Sequence, residues 1–196
     1  MRFNKAPCHS IYQNSEYTKN FLANKMYHTI HNKTRGDAKV VRFQNIFHTG
    51  YLARDVASEM AALSEALGLR WAKPYVYEAL TIWTPDRDVH QIRLEVAYSA
   101  DGPQRVEIQK GPAGSIYDPE LHNAHHLGIW VEEVSTAAAP MLAQGWSVVV
   151  SALPPHQGFG TFAYLRPPRE GMLIELVNLA AKPRFERWWG GADGPF

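Results

Sequence analysis

A short motif occurs twice in this chain and constrains its fold more than any other feature. The copies occupy residues 48–56 (HTGYLARDV) and 126–134 (HLGIWVEEV). Both read His-x-Gly, then an apolar pair, a small apolar residue, a polar residue, an acidic residue and valine. A motif that returns after a long interval indicates that one structural unit is present twice. We therefore expect two similar modules that pack against each other.

A glutamate flanked by aliphatic residues follows each copy of the motif, in a segment typical of a strand. Burying a carboxylate in an apolar strand is unfavourable unless the group is paired or bound to a cation. Two imidazoles and two carboxylates, one of each from each module, would supply the ligands of a divalent metal site between the modules. The four candidate ligands are His48, Glu107, His126 and Glu175.

The first module, residues 43–110, is predicted to contain a strand, a helix and three further strands. Asp55 or Ser58 can cap the helix, and Gly68 stands where a helix commonly stops. Alternating apolar runs bounded by prolines and turn residues predict the strands. The predicted elements are a strand at 43–52, a helix ending at Leu67, and strands at 75–84, 90–98 and 105–109.

The second module, residues 124–179, repeats this order. Ser135 or Thr136 is the predicted cap of its helix, which ends at Gln144-Gly145. Pro140 lies deep enough in this helix to kink it. The predicted strands are residues 126–131, 148–152, 161–165 and 172–179.

The composition is that of a globular protein. The chain has 196 residues, of which 45% are hydrophobic and 20% charged, enough for one core of about 150 residues. Cys8 is the single cysteine, so an intrachain disulfide is excluded. No apolar run approaches the roughly 20 residues of a membrane span, and the N-terminus lacks the apolar region of a signal peptide. We expect a cytoplasmic protein without a membrane partner.

The charges are distributed unevenly. Residues 1–40 carry seven lysines and arginines against two acidic residues, whereas the remainder carries 13 against 17. We interpret residues 1–40 as a basic, irregular N-terminal arm. The body is acidic, so its charge does not favour nucleic acid as a partner.

The doubled βαβββ unit, with histidine and glutamate on matching strands, resembles the vicinal oxygen chelate superfamily of glyoxalase I, methylmalonyl-CoA epimerase, bleomycin-resistance proteins and extradiol dioxygenases. Residues 125–134 are similar to the fifth strand of the glyoxalase I and epimerase branch, 172–177 to its last strand and 106–112 to its fourth. The resemblance implies an α+β fold in which two tandem βαβββ modules form a cupped, incomplete barrel. The domain would span residues 41–180 and leave 181–196 as a C-terminal tail.

The resemblance also implies a ligand set and a reaction. His48, Glu107, His126 and Glu175 match the family ligands on the first, fourth, fifth and last strands of the two modules. They would bind one divalent ion, and zinc, nickel, cobalt, manganese and Fe(II) all suit such ligands. The implied activity is that of an isomerase, epimerase or lyase that abstracts a proton α to a carbonyl and stabilises the enolate on the metal. Glu175, or else Glu107, would be the catalytic base.

The substrate is expected to be a small molecule. Epimerases of the family use a second base near the third strand, where this chain offers Asp88 or His90. Aromatic residues on or near the strands would favour an apolar or aromatic substrate if they face the cup. These candidate pocket residues are Trp83, Tyr98, Trp130 and Tyr164.

Three other interpretations stay open. His48, His126 and Glu175 would satisfy the facial triad of an Fe(II) extradiol-type dioxygenase acting on an aromatic diol, although Glu107 would fill a position that oxygenases leave open. A metal-free, resistance-type binding protein would keep the fold without the ion. In the third interpretation, the four polar residues are unrelated residues of an α+β domain.

The resemblance further implies a homodimer. Residues 188–189, two tryptophans, are expected to pack on the body or on a dimer partner.

Overall fold

The computed structural model describes residues 41–121 and 124–196. The predicted basic arm, residues 1–40, lies outside the described residues and stays a prediction. No helix in the described ranges is both long and apolar enough to cross a membrane.

Each module has the predicted order of one strand, one helix and three strands. The first contains β1 (Ile46–Leu52), α1 (Val56–Leu67), β2 (Tyr75–Thr84), β3 (Asp88–Tyr98) and β4 (Arg105–Lys110). The second contains β5 (Ala124–Val131), α2 (Val134–Ala143), β6 (Ser147–Ser151), β7 (Phe162–Arg166) and β8 (Leu173–Asn178). A further helix, α3 (Lys182–Trp189), follows the second module. Short 3₁₀ turns occupy Phe43–Asn45, Pro155–Gln157 and Leu179–Ala181.

The eight strands form one ring in the order β1-β4-β3-β2-β6-β7-β8-β5. Strand β1 runs parallel to β4, and β5 runs parallel to β8 in the same way. The two modules meet along the antiparallel β1–β5 pair, which extends from Ile46↔Ile129 to Tyr51↔Ala124. On the other side of the ring, the described residues of the two modules form one backbone strand pair, Trp83↔Ser151, between β2 and β6. This single pair barely closes the barrel, and the predicted α+β class with two βαβββ modules is confirmed.

The helices of the two modules, α1 and α2, begin in different ways. Helix α1 is capped by Asp55, whose carboxylate accepts the Ser58 N–H at 2.7 Å, and it ends at Gly68 with φ +68°. The predicted caps of α2 are wrong, because this helix starts before Ser135 and Thr136. Its first residue is the fully buried Val134, so burial rather than a capping side chain determines where α2 begins.

Strand β1 starts later than predicted. Residues 43–45 form a 3₁₀ turn instead of the start of a buried strand, and the Phe43 side chain is 84% exposed. Strand β3 starts earlier than predicted, because Thr84 pairs with Asp88 at the end of the hairpin. Ladder pairing therefore extends two residues beyond the His90 boundary that the apolar alternation indicated.

The apolar core has layers inside and outside the ring. Outside, Val56 of α1 shares a buried cluster with Ile108 of β4, and Val134 of α2 shares one with Leu176 of β8. Inside, aromatic and aliphatic side chains fill the barrel around the buried histidines and glutamates. Members of the inner cluster include Phe47, Leu94, Val96, Tyr98, Trp130, Tyr164 and Val177.

The C-terminal segment packs on the body, as expected for its paired tryptophans. Trp188 is fully buried, and its indole N–H donates a hydrogen bond of 2.7 Å to the carbonyl of Lys73. The ring of Trp189 lies 6.1 Å from that of Phe47 and 5.7 Å from that of Tyr98. Because these partners belong to the inner cluster, α3 covers part of the barrel interior.

We predict that Trp188→Ala lowers the free energy of unfolding by about 3–5 kcal/mol, since it removes a fully buried aromatic side chain and its hydrogen bond. Urea unfolding followed by circular dichroism measures the change. Leu67→Ala is the control, because Leu67 is 65% exposed at the end of α1 and should change stability by no more than about 0.5 kcal/mol. Equal effects of the two substitutions would contradict the packing of α3 described above.

Candidate metal centre

The register between β1 and β5 brings the two motif histidines together. His48 lies opposite Gly128, and Gly50 lies opposite His126. Both imidazoles are fully buried, and their Nε2 atoms are 2.8 Å apart. Two neutral acceptor nitrogens repel at this distance, so the contact requires a proton or a cation between them.

The glycine of each motif makes room for the histidine of the other module. A Cβ atom on Gly50 would overlap the ring of His126, and one on Gly128 would overlap the ring of His48. A side chain two residues after each histidine would therefore crowd the centre of the site. The structure identifies the crowded group as the opposite imidazole.

The parallel partners of β1 and β5 supply the carboxylates. Glu107 on β4 lies beside Gly50, and Glu175 on β8 lies beside Gly128. The Glu107 Oε2 atom is 3.2 Å from His48 Nε2 and 2.9 Å from His126 Nε2. The corresponding distances for Glu175 Oε2 are 3.2 Å and 3.5 Å. The structure thus brings all four candidate ligands together, with one ligand atom of each within 4.8 Å of the others.

This geometry fits a divalent metal ion. Bonds of about 2.1 Å from one ion to its ligands place those ligands roughly 3 Å apart, close to the distances found here. The Oε2 atoms of Glu107 and Glu175 are buried and accept no hydrogen bond with acceptable geometry from the described residues. Buried carboxylate oxygens that approach imidazole nitrogens without bonding to them are expected where the shared partner is a cation.

The charges of the site reinforce one another. Burial alone would lower the pKa of His48, but Glu107 and Glu175 raise it to about 9. Burial would raise the pKa of Glu107, but His48 and His126 hold it well below its usual range. Glu107 therefore stays anionic inside the barrel and has a strong affinity for positive charge.

A tyrosine accompanies each glutamate on the neighbouring strand. Tyr98 pairs with Glu107, and Tyr164 pairs with Glu175. The Tyr98 ring is 5.4 Å from the His48 ring in an edge contact, and the Tyr164 ring is 4.8 Å from that of His126. Burial first, and then the nearby carboxylates, raise the pKa of both tyrosines well above the ordinary value, so both hydroxyls stay protonated.

A cavity of about 380 Å³ borders the two glutamates. Of the four predicted pocket aromatics, Tyr98 and Tyr164 line it, whereas Trp83 and Trp130 are not among its lining residues. Trp130 instead stacks on Phe47 with ring centroids 3.8 Å apart, where α3 covers the barrel. Trp83 lies in the single residue pair between β2 and β6.

The two candidate second bases lie away from this cavity. Asp88 is exposed at the β2–β3 hairpin, and the ring nitrogen Nδ1 of His90 is 2.9 Å from the Asp88 carbonyl oxygen. Neither residue is among the described residues that line the cavity. Asp88 and His90 therefore lie outside both the cavity lining and the cluster of candidate ligand atoms.

Several lining residues were not identified from the sequence. Gln109 shares a face with Glu107 by the two-residue period of a strand, and its amide donates to the Tyr164 hydroxyl at 3.2 Å. Its carbonyl oxygen is buried without a hydrogen-bond partner in the described part of the chain. Arg184 and Phe196 come from the segment predicted only as a tail. The aromatic residues concentrated in that segment were the one signal that it packs on the body.

Solved structures that are similar to this chain include two methylmalonyl-CoA epimerases. A variant from Streptomyces coelicolor, in complex with 2-nitronate-propionyl-CoA, is 19% identical over 70% of this chain and 95% of that chain, with a TM-score of 0.50. The enzyme from Mycobacterium tuberculosis is 15% identical over 76% of this chain and 98% of that chain, with a TM-score of 0.49. A variant of 4-hydroxymandelate synthase from Streptomyces coelicolor is 14% identical over 68% of this chain and 37% of that chain, with a TM-score of 0.45.

At 19% identity and a TM-score of 0.50, the Streptomyces coelicolor epimerase shows the fold alone. No protein with a curated description matches the chain. The family model that matches residues 47–164 covers more than half of the chain and includes three of the four candidate ligands. The resemblance inferred from the duplicated motif is thereby confirmed, and the chain belongs to the Glyoxalase/Bleomycin resistance protein/Dioxygenase superfamily.

Proposed function

We propose that this protein is a divalent-metal-dependent isomerase, epimerase or lyase that abstracts a proton α to a carbonyl of a small-molecule substrate. The observation that carries the proposal is the convergence of four buried acceptor atoms beside an aromatic cavity. A cavity of this size, lined by apolar rings and a few polar groups, is typical of a small-molecule site.

His48, Glu107, His126 and Glu175 would hold the ion. A bound divalent ion supplies Lewis-acid polarisation of substrate oxygens, which acidifies the adjacent C–H bond. Mixed nitrogen and oxygen ligands without thiolate suit zinc, nickel, cobalt, manganese and Fe(II) alike. The four ligands are therefore specified, and the identity of the ion is a matter for metal analysis.

Glu175 is the better placed of the two glutamates to accept the proton. Its side chain is 11% exposed against 4% for Glu107. Both glutamates lie 3.2 Å from His48 Nε2, but Glu175 lies 3.5 Å from His126 Nε2, against 2.9 Å for Glu107. A carboxylate that is held more loosely and reaches the cavity can turn towards a substrate, while Glu107 stays in place.

The aromatic wall would hold the substrate and exclude water. The hydroxyls of Tyr98 and Tyr164 stay protonated because their pKa values are raised, so each can donate a hydrogen bond but not act as a base at neutral pH. Gln109 is oriented by Tyr164 and presents a buried, unsatisfied carbonyl oxygen at the same wall. These groups suit orientation of a substrate with polar substituents on an apolar body.

Two of the three alternatives from the sequence, the dioxygenase and the metal-free binding protein, are less well supported than this proposal. An Fe(II) dioxygenase needs three protein ligands and open positions, whereas Glu107 makes the shortest carboxylate contact in the cluster, 2.9 Å to His126. In a metal-free binding protein, the charge that compensates the two buried glutamates could come only from the neighbouring imidazoles, and burying these charges carries a desolvation cost.

We predict that the purified protein binds about one divalent ion per chain and that His48→Ala/His126→Ala abolishes this binding, since two of the four ligands are lost. Inductively coupled plasma mass spectrometry after reconstitution measures the metal content. His156→Ala should retain the metal, because His156 is an exposed histidine outside the cluster. A wild-type protein that stays metal-free after reconstitution would rule out the metal centre.

We predict that Glu175→Gln lowers α-proton exchange by about 100-fold or more, because the amide cannot accept the proton. Most of the bound metal should remain, since Glu107 and both histidines are unchanged. Exchange into deuterium oxide, followed by nuclear magnetic resonance on 2-oxo acids and acyl-CoA esters, provides the assay. Glu170→Gln is the exposed, charge-matched control. Full exchange by Glu175→Gln would exclude Glu175 as the base.

We predict that Gly128→Ala lowers metal content and reduces the free energy of unfolding by about 1–3 kcal/mol, because the added methyl group displaces the His48 ring. Metal analysis and urea unfolding test both effects. Gly171→Ala is the control, since Gly171 is exposed and its Cβ would meet Pro167 at 3.2 Å. Normal metal content in Gly128→Ala would show that the imidazole tolerates displacement.

A further inference from the structure

One cation lines the cavity. Among the described residues around it, Arg184 is the only lysine or arginine, and Glu107 and Glu175 are the only acids. The Arg184 Nε atom is buried and has no hydrogen-bond partner in residues 41–121 and 124–196. A guanidinium has five N–H donors, and burying one of them unpaired is unfavourable. An anionic ligand would satisfy it.

The helix that carries Arg184 is firmly attached to the barrel. Trp188 of the same helix is fully buried and donates to the Lys73 carbonyl, and the Phe185 ring contacts the Tyr98 ring at 5.8 Å. A side chain on a packed helix is positioned more precisely than one on a loop. Arg184 is therefore presented to the cavity by a rigid element.

Arg184 determines the net charge of the cavity lining once a metal ion is bound. With a divalent ion in place, the charges of Glu107 and Glu175 neutralise it, because both histidines bind metals in the neutral form. The lining then carries a net charge of about +1, which comes from Arg184. The guanidinium also lies 5.7 Å from the Phe185 ring centroid, but this long cation–π contact leaves Nε unsatisfied.

We propose that Arg184 is a substrate-binding residue that recognises a carboxylate on the substrate, separate from the oxygen atoms that face the metal centre. The inference rests on the proposed function and adds the substrate class: a small monocarboxylate with an apolar or aromatic body. The planar fork of a guanidinium matches the two oxygens of a carboxylate. Aromatic rings, among them those of Tyr77 and Phe162, line the same cavity and would contact the body of the substrate.

The test compares two zinc-chelating probes of similar shape, one with a carboxylate and the other with a neutral amide at the same position. These are 4-carboxybenzohydroxamate and its neutral counterpart, 4-carbamoylbenzohydroxamate, titrated calorimetrically into the zinc-loaded full-length protein. We expect the wild type to bind the carboxylate probe roughly tenfold or more tightly than the amide probe. Arg184→Gln should remove this preference by weakening the carboxylate probe alone, and Arg184→Lys should retain part of it. Arg169→Gln, an exposed arginine between β7 and β8, should leave the preference unchanged.

Zinc content is measured for every variant, so failure of the metal centre and failure of the carboxylate site are distinguishable. If the wild type binds none of zinc, nickel, cobalt, manganese and Fe(II) after reconstitution, the proposed function fails, and benzoate against benzamide makes the same charge comparison on the metal-free protein. Equal affinities for the charged and neutral probes would overturn the role of Arg184. The role would also be overturned by a carboxylate preference that survives Arg184→Gln, or by the absence of binding of either probe.

Discussion

The register of one antiparallel strand pair determines the centre of this protein. In the β1–β5 pair, each motif histidine lies opposite the motif glycine of the other module. Side chains alternate along a strand, so a slip of one residue would turn both imidazoles out of the barrel. The parallel partners β4 and β8 then place a glutamate beside each glycine. Three backbone ladders, β1–β5, β1–β4 and β5–β8, thus bring the four candidate ligand atoms of a linear repeat together.

The duplicated site is not symmetric in its chemistry. Each module contributes a histidine, a glycine, a tyrosine and a glutamate at equivalent places, but Glu175 is held less closely than Glu107. Among the described residues, the first module has no counterpart of helix α3, which brings Arg184 to the cavity. The repeat thus supplies a nearly symmetric set of candidate ligands, while structure outside the repeat makes the two sides of the cavity different.

The sequence predicted the features that depend on local pattern. The order of helices and strands along the chain, a cap at Asp55 or Ser58 and the stop at Gly68 follow from periodicity and turn chemistry. The structure has this order, and Asp55 is the cap and Gly68 the stop. Features that depend on distant contacts were harder to predict. The two-residue period gives the face of Trp130 but not which part of the barrel it fills, and burial of Val134 overrides the nearby capping residues. Arg184 carried no local signal, because its surroundings come from strands far away in the sequence.

The two sides of the barrel are closed by different amounts of backbone pairing. Ladders of several residue pairs hold the side with the candidate ligands, although the β1–β5 ladder contains two register shifts. The opposite side is closed by the single Trp83↔Ser151 pair between β2 and β6, and Thr81 and Ala152 beside it line the cavity. Spreading this edge would break little backbone hydrogen bonding and leave the ligand geometry intact. We therefore expect the β2–β6 edge to open more readily than the edge at the candidate ligands, because fewer backbone hydrogen bonds hold it. Substitutions at the β2–β6 edge should then alter access to the cavity before they disturb the positions of the candidate ligands.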